Sequence, residues 1–325
     1  MKACVLHAIN DLRYEDVPKP ERKPGEVLVK IKASGICGSD LPRVFEKGTY
    51  HFPTIPGHEF GGDIAEADDK ALIGRKCAVY PILPCRKCAS CETGRYAQCE
   101  NYDYFGSRRD GGFAEYLSAP LWNIVFAPDG LSYEEIAMAE PCAVALHALE
   151  RADFRMGNSV CVFGAGPIGI MIGKWARLKG ASRVALIDVD EKKAAFAEKL
   201  GFETDMGEKA DIVVEGAGVG ASFENAMKTA KTFGTVVLMG NPAGEMALPR
   251  AVYSDVLRKE LTVKGTWNSS YNAGANDWKT ALDFMKKLDI SCLVSHRFPL
   301  SACVEAFGLM RERKAFFNKV MFIND

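Results

Sequence analysis

The feature that most constrains the fold is the regular alternation of apolar strand and helix in the second half of the chain. SVCVFGAG is a nearly continuous apolar strand that ends in glycines, and the helix PIGIMIGKWARLKGA and the strand RVALIDVD follow it. Further strand–helix pairs continue to TVVLMGN. Strands without polar alternation are typical of parallel sheets that are covered on both faces. The pattern predicts an α/β fold with a doubly wound parallel sheet.

A glycine fingerprint stands at the first strand–helix junction of this region. Its residues, which fit GxGxxG, are Gly164, Ala165, Gly166, Pro167, Ile168 and Gly169. The motif follows a predicted strand and opens a predicted helix, which is the context that it requires. The first glycine permits a tight turn, the second lets the backbone approach a pyrophosphate, and the third lets the helix pack closely on the strand. The phosphates then lie at a helix N-terminus, so we predict a Rossmann dinucleotide-binding domain.

Acidic Asp188 ends the second strand of this region. A carboxylate at this position accepts hydrogen bonds from the ribose hydroxyls and repels a 2′-phosphate, and neither Val189 nor Asp190 is an arginine that would bind one. The predicted cofactor is therefore NAD rather than NADP. Gly216 and Gly240 end later strands and are candidate second contacts, as are Gly218 and Asn241. The alternative is a glycine-rich turn in an unrelated α/β protein.

The N-terminal part of the chain has a different pattern. EVLVKIKASGI alternates apolar and polar residues and predicts a half-buried strand, and KCAVYP and FAEYLSAP predict shorter strands between Gly and Pro residues. The C-terminal stretch has two helical segments and a last strand, KVMFI. We predict one β-rich domain from residues 1–142 and 270–325, and the nucleotide-binding domain from residues 143–269.

Four cysteines are clustered in the β-rich part. Cys85, Cys88, Cys91 and Cys99 are separated by two, two and seven residues, a spacing that can close a tetrahedron around Zn²⁺. No position would be left open for a substrate, so this predicts a structural zinc site. An iron–sulfur cluster is the nearest rival, and four unconnected buried thiols are the plain alternative.

A second set of metal-ligand residues is dispersed along the chain. Cys37 lies in GICGSD, His58 and Glu59 follow Pro-Gly, and Glu140 precedes a proline near the predicted domain junction. A thiolate, an imidazole and a carboxylate are the mixed donors of a catalytic zinc, which acts as a Lewis acid toward a substrate oxygen. Singly, these residues are equally compatible with a buried thiol, a loop histidine and a charge at a helix N-terminus.

Together, these motifs resemble the zinc-containing medium-chain alcohol/polyol dehydrogenases over nearly the whole chain. The resemblance implies a β-rich GroES-like catalytic domain beside the Rossmann domain, with two zinc ions per chain and NAD. It implies that Cys37, His58 and an acidic residue bind the catalytic zinc, and it leaves Glu59 and Glu140 as alternatives for that residue. Ser39 matches the residue that accepts the alcohol proton, whereas Leu41 and Pro42 replace the histidine that continues the relay in many members.

Longer strings point to a branch of this family. CGSDLPR, GHEFGG, GSRRDGGFAEY and LRKELTVKGTW resemble dehydrogenases of polyol phosphates. The resemblance implies oxidation of a secondary hydroxyl of a sugar-alcohol phosphate, such as galactitol 1-phosphate, to a ketose phosphate. Arg43, Arg108 and Arg109 lie in these strings and are candidate partners of the phosphate. The alternatives are a free-polyol (sorbitol-like) dehydrogenase and an L-threonine 3-dehydrogenase type of enzyme.

Composition excludes several other classes of function. A net charge of −1 offers no basic field for nucleic acid, and no apolar run is long enough to span a membrane. Eleven cysteines, an odd number, in a long chain without a recognisable signal peptide favour metal binding in a reducing compartment. We therefore expect a cytoplasmic protein. As a separate expectation, the chain forms a homodimer or homotetramer. A dehydrogenase fold kept only as a structural protein would have lost zinc ligands or the glycine fingerprint, and both are intact.

Overall fold

Strands dominate the N-terminal part of the chain and alternate with helices further on in the computed structural model, which describes residues 1–324. The strands are β1 Lys2–Ala8, β2 Asp11–Asp16, β3 Glu26–Ile36, β4 Glu59–Glu66, β5 Lys76–Val79, β6 Ile82–Leu83, β7 Asp103–Tyr104, β8 Tyr116–Pro120, β9 Ile124–Phe126, β10 Ser159–Phe163, β11 Arg183–Ile187, β12 Ala210–Glu215, β13 Ala230–Leu238, β14 Thr262–Gly265, β15 Val294–Pro299 and β16 Lys319–Ile323. The helices are α1 Asp40–Pro42, α2 Ala89–Glu92, α3 Tyr133–Ala137, α4 Ala139–Arg151, α5 Pro167–Leu178, α6 Glu191–Lys199, α7 Gly220–Thr229, α8 Arg250–Arg258, α9 Asp277–Leu288 and α10 Cys303–Glu312.

The chain divides into two units. The first consists of Met1–Glu140 and the chain from Ser270 onward, and the second is Pro141–Ser269. The predicted range 270–325 ends at Asp325, which lies outside the described residues. No helix in the described part of the chain is both long and apolar enough to cross a membrane.

The first unit is organised around the long strand β3. Among the described residues, seven strands form its main sheet, in the order β15-β16-β3-β4-β5-β9, with β8 also paired to β3. The alternation in EVLVKIKASGI predicted a half-buried strand, but β3 is buried over most of its length. It lies inside the sheet, and its Val29 and Ile31 pack in the same core cluster as Phe60 of β4. The burial follows from this central place, which local alternation does not reveal.

The second unit has the predicted parallel sheet. Its described strands run in the order β11-β10-β12-β13-β14, and every neighbouring pair is parallel. β10 is buried at every position, as expected for a strand that is covered on both faces. From β10 the chain passes to β11 on one side and later to β12 on the other. The carboxyl end of β10 is therefore the switch point at which α/β folds of this kind bind ligands.

Candidate active site

Strand pairing brings three of the predicted metal ligands together in the first unit. Cys37 follows the end of β3 and Glu59 begins β4, and the register of the two strands pairs Gly35 with Glu59. Donor atoms of Cys37, His58 and Glu59 all lie within 4.8 Å of one another. A side chain at position 35 would meet the Glu59 carboxylate, since its Cβ would lie 2.3 Å from Oε2. Glycine at this position leaves the room that the carboxylate occupies.

Asp40 orients this group from a buried position. Its Oδ2 accepts a hydrogen bond from the backbone N–H of Cys37 at 3.0 Å, and its Oδ1 lies 3.3 Å from His58 Nδ1. Arg43 Nη1 donates to the same Oδ1 at 2.8 Å. Burial acts to raise the pKa of Asp40, but the charges of His58 and Arg43 outweigh it and lower the pKa to about 2. An ionised carboxylate beside Nδ1 favours a proton there, which leaves Nε2 of His58 to bind a metal.

Glu59 is paired with a buried lysine, a pairing that the sequence did not specify. Lys319, at the start of β16, donates from Nζ to both carboxylate oxygens of Glu59, at 2.6 and 2.9 Å. Glu59 and Lys319 are only 1% and 3% exposed. Burial acts to lower the pKa of Lys319, but the Glu59 carboxylate outweighs burial and raises it. The buried ammonium therefore balances a carboxylate that would otherwise stand beside a thiol and other acids.

Glu140 is the other acidic candidate. It lies in the first turn of α4 and is 6% exposed, and it is not one of the three residues whose donor atoms lie within 4.8 Å of one another. Burial raises the pKa of Glu140 to about 7, with the Glu59 charge adding to the effect and the His58 charge opposing it. Glu140 thus belongs electrostatically to the same cluster, and Glu59 lies nearer to the other two donors.

Ser39 and Tyr104 complete the surroundings of the cluster. Ser39 Oγ donates toward Cys37 Sγ at 3.3 Å, and the ring of Tyr104 lies 5.6 Å from the His58 ring. Burial and the nearby Glu140 raise the pKa of Tyr104 well above its ordinary value, so its hydroxyl is neutral. The hydroxyl of Ser39 is therefore in direct contact with one of the three candidate metal ligands.

The four predicted structural cysteines also lie together. Their sulfur atoms are all within 4.8 Å of one another, with Cys85 4.0 Å from Cys91 and Cys88 3.9 Å from Cys99. Zn–S bonds of about 2.3 Å place the corners of a tetrahedron about 3.8 Å apart. The observed separations therefore suit a single zinc ion better than a larger iron–sulfur cluster.

The ionisation of these thiols also fits a metal. Backbone N–H groups of Glu100 and Cys91 lower the pKa of Cys88 to about 6, whereas burial and the neighbouring Cys99 raise the pKa of Cys91 to about 12. Four sulfurs this close can all be thiolates only around a cation. The donor set therefore fits zinc in both spacing and chemistry.

In the second unit, the glycine fingerprint has the geometry that a dinucleotide needs. Gly164 has φ 113°, a backbone conformation that disfavours other residues. A Cβ on Gly169 would lie 1.9 Å from the carbonyl oxygen of Gly164, so helix and turn could not approach as they do. A Cβ on Gly166 would meet nothing within 4 Å, and no side chain caps the helix that begins at Pro167. The space above Gly166 and the uncapped N–H groups suit a phosphate.

Asp188 is tied to the same turn. Its carboxylate accepts from the backbone N–H of Ala165 at 2.8 Å and from that of Asp190 at 2.9 Å. A carboxylate offers about four acceptor positions, so capacity remains for ribose hydroxyls. The next residue, Val189, is fully exposed. Asp188 therefore stands where the sequence argument for NAD needs a carboxylate.

The glycines that end later strands are packed around a buried glutamate that the sequence did not single out. Glu215, 1% exposed at the end of β12, accepts hydrogen bonds from the backbone N–H groups of Ala217 and Gly218 and from Ser222 Oγ, at 2.9, 2.7 and 2.6 Å. A Cβ on Gly240 would lie 2.2 Å from the nitrogen of Gly218. Gly216 donates to Phe163 at the end of β10. Gly216 and Gly240 therefore lie in one tightly packed set of turns beside the fingerprint.

The three predicted phosphate-binding arginines have different surroundings. Arg43 is paired with Asp40 inside the metal cluster. Arg109 is exposed and paired with Asp103 at 2.8 Å. Arg108 has no carboxylate partner among the described residues, and its guanidinium lies against tyrosine rings. The three arginines therefore have different partners.

The chain is similar to known protein families and to proteins of known activity. The model of the alcohol dehydrogenase GroES-like domain matches residues 23–129, and that of the zinc-binding dehydrogenases matches residues 167–287. Over 99% of its length the chain is 34% identical to galactitol 1-phosphate 5-dehydrogenase of Escherichia coli K12, all of which is covered. The chain belongs to the zinc-binding dehydrogenase family. This dehydrogenase is also 31% identical to sorbitol dehydrogenase of Bombyx mori, over 96% of each chain.

Solved structures agree with this assignment. The crystal structure of galactitol-1-phosphate dehydrogenase from Escherichia coli is similar to this dehydrogenase, with a TM-score of 0.92 and 34% identity. The match covers 100% of each chain. These findings confirm the predicted resemblance, the pairing of a GroES-like with a Rossmann fold, and the enzyme class.

Two positioning residues of the cluster carried weak signals in the sequence of this dehydrogenase. Asp40 belongs to the GICGSD string, three residues after Cys37, so its nearness was readable. Lys319 is a single charge at the head of the apolar strand KVMFI, and a charge there signals a buried partner. The identity of that partner depends on the pairing of β16 with β3, which no local pattern specifies.

Proposed function

We propose that this dehydrogenase oxidises a secondary hydroxyl of a sugar-alcohol phosphate, of which galactitol 1-phosphate is the model, to a ketose phosphate with NAD⁺. The observation that carries the chemistry is the compact donor group of Cys37, His58 and Glu59. Three side-chain donors leave a tetrahedral zinc one position for a substrate oxygen. The full-length similarity to a galactitol 1-phosphate 5-dehydrogenase supports the choice of substrate.

The side chains of the cluster have distinct tasks in this proposal. The bound groups supply Lewis-acid polarisation of the hydroxyl by zinc and acceptance of hydride by NAD⁺. Asp40 holds the proton on Nδ1 of His58, and Lys319 neutralises Glu59. Ser39 Oγ, 3.3 Å from the Cys37 sulfur, would relay the proton of the substrate hydroxyl by accepting it and releasing its own. Leu41 and Pro42 carry no acceptor side chain, so neither can receive the proton that Ser39 passes on.

The proposed cofactor is NAD rather than NADP. Asp188 places a carboxylate beside the glycine turn, where it suits ribose hydroxyls and repels a 2′-phosphate. The open space at Gly166 and the free N–H groups of the following helix suit the pyrophosphate. We further propose, from the sequence, that the enzyme works as a homodimer or homotetramer in the cytoplasm, and its described cysteines are all free of disulfides.

An NADH-absorbance assay tests the proposed substrate. Galactitol 1-phosphate, free galactitol, sorbitol and L-threonine are compared at matched concentrations with zinc-replete enzyme. We expect kcat/KM to be highest for the phosphate. Preferred turnover of a free polyol or of threonine would replace the proposal by the sorbitol-like or the threonine-type alternative.

A further inference from the structure

One of the three predicted arginines is left without an ionic partner. In the described chain, Arg108 makes no salt bridge, and its Nε is buried without a hydrogen-bond partner. Its neighbour Arg109 donates to Asp103, and Arg43 donates to Asp40. A buried guanidinium nitrogen without an acceptor is costly, so such a group is kept where an external anion or a cation–π contact compensates it.

Two tyrosine rings hold the guanidinium in place. Its carbon Cζ lies 4.2 Å from the ring centroid of Tyr50 and 4.7 Å from that of Tyr102. The ring of Tyr50 belongs to one of the most exposed large side chains, at 69%. An aromatic ring supplies no oxygen acceptor, so the guanidinium keeps its capacity for charge-assisted hydrogen bonds to an anion.

The two loops that carry these residues are joined by hydrogen bonds. The N–H of Tyr50 donates to the carbonyl oxygen of Ser107 at 3.2 Å, and His51 Nε2 lies 3.2 Å from that of Arg108. The N–H of Ile55 donates to Asp110 Oδ1 at 2.9 Å. These hydrogen bonds fix the backbone that carries Arg108, so less conformational entropy would be lost when a ligand binds.

A row of aromatic contacts leads from Arg108 to the metal-ligand cluster. The Tyr102 ring lies 6.4 Å from the Tyr104 ring, which lies 5.6 Å from the ring of His58. The cation and the metal ligands thus stand at opposite ends of one contiguous set of side chains. This arrangement suits a substrate whose anionic group and reacting hydroxyl are at opposite ends of a carbon chain.

We propose that Arg108, held by Tyr50 and Tyr102, binds the phosphate of the substrate and thereby selects phosphorylated over free polyols. The proposal rests on the function proposed above and assigns its specificity to one residue. A guanidinium fork matches a phosphate through paired, charge-assisted hydrogen bonds. With the phosphate held at Arg108 and the reacting hydroxyl at the metal ligands, the carbon chain between them determines which hydroxyl is oxidised.

The experiment compares kcat/KM for galactitol 1-phosphate with that for free galactitol in the unaltered enzyme and in Arg108→Gln, Arg108→Lys and Arg109→Gln. Arg109→Gln is the matched variant, since it removes the same charge from the adjacent position of the same loop. We expect Arg108→Gln to lower the phosphate-to-free ratio by roughly ten- to a hundredfold, the effect of losing a charged hydrogen bond. Arg108→Lys keeps a point charge and should restore part of the ratio.

The pH dependence of the same ratio gives a second readout. A phosphate monoester gains its second negative charge near pH 6, so the ratio for the unaltered enzyme should rise through about that pH. Titration of enzyme groups that changes kcat/KM equally for both substrates cancels in this ratio. The rise should be much smaller in Arg108→Gln.

The outcomes separate the two proposals. A free polyol preferred by the unaltered enzyme contradicts the proposed function itself. A preference for the phosphate that survives in Arg108→Gln, or that is lost in Arg109→Gln instead, overturns the assignment to Arg108 and leaves the proposed function standing. A sugar acid of the same chain length used more efficiently than the phosphate would also overturn the assignment, because a carboxylate would then be the recognised anion.

Discussion

Replacement of Lys319 by Met should show how strongly the cluster depends on its buried cation. The Lys319 Nζ lies 2.6 Å from one oxygen of Glu59, and both side chains are almost fully buried. At an effective dielectric constant of about 20, such a contact is worth about 6 kcal/mol in Coulomb energy before the cost of desolvation. Removing one partner of a buried pair typically destabilises a protein by about 3–5 kcal/mol, because the remaining charge is left uncompensated.

In protein without the catalytic zinc, we expect Lys319→Met to lower the free energy of unfolding by that amount and the melting temperature by on the order of 10 °C. A bound zinc ion would compensate part of the Glu59 charge and make the effect smaller. The Glu59 carboxylate raises the pKa of Lys319, so the stabilisation is fully present below the ordinary lysine pKa and is lost only as the pH rises through the raised value. At neutral pH the whole penalty should therefore appear.

Urea unfolding followed by circular dichroism measures the effect. Zinc is quantified in every sample, because loss of the structural zinc would itself destabilise the fold and catalytic zinc would compensate Glu59. Lys319→Arg is the conservative control. The double variant Glu59→Gln/Lys319→Met removes both charges and, compared with Lys319→Met at matched zinc content, should recover most of the lost stability. The reasoning is refuted if the double variant is as unstable as the single one, or if Lys319→Met lies within about 1 kcal/mol of the unaltered enzyme.

Three further predictions concern the metals and the cofactor. Cys91→Ser should lose one of two zinc ions and much stability, whereas Cys37→Ser should lose the other zinc and turnover but keep the fold. Metal analysis and thermal melts measure these effects, and full zinc content in both variants would contradict the prediction. Gly166→Ala should leave the melting temperature unchanged and raise KM for NAD, while Gly169→Ala, whose Cβ would lie 1.9 Å from a carbonyl oxygen, should cost about 1–3 kcal/mol of stability. Asp188→Ala should reduce the preference for NAD over NADP in steady-state kinetics, and an unaltered enzyme that uses both equally well would count against the assignment.

Local patterns in the sequence were enough to predict the parallel sheet, the glycine fingerprint and the four-cysteine site. Apolar strands that alternate with helices are expected to be buried on both faces, and Gly164 and Gly169 each meet a steric requirement that is local to one turn. The four cysteines are close in sequence, so their spacing alone predicts a closed site. Such features are readable because the groups that interact are separated by few residues.

Tertiary structure alone decided what surrounds the predicted ligands. Lys319 reaches Glu59 because β16 pairs with β3 and β3 with β4, a contact across 260 residues of chain. Arg108 and Arg109 are adjacent and of the same residue type, so the sequence does not distinguish them. In the structure, Arg109 pairs with a carboxylate and Arg108 lies against tyrosine rings. Strand register and loop packing decide such differences, because a side chain's partner is set by the backbone that carries it and by the distant segment that packs against it.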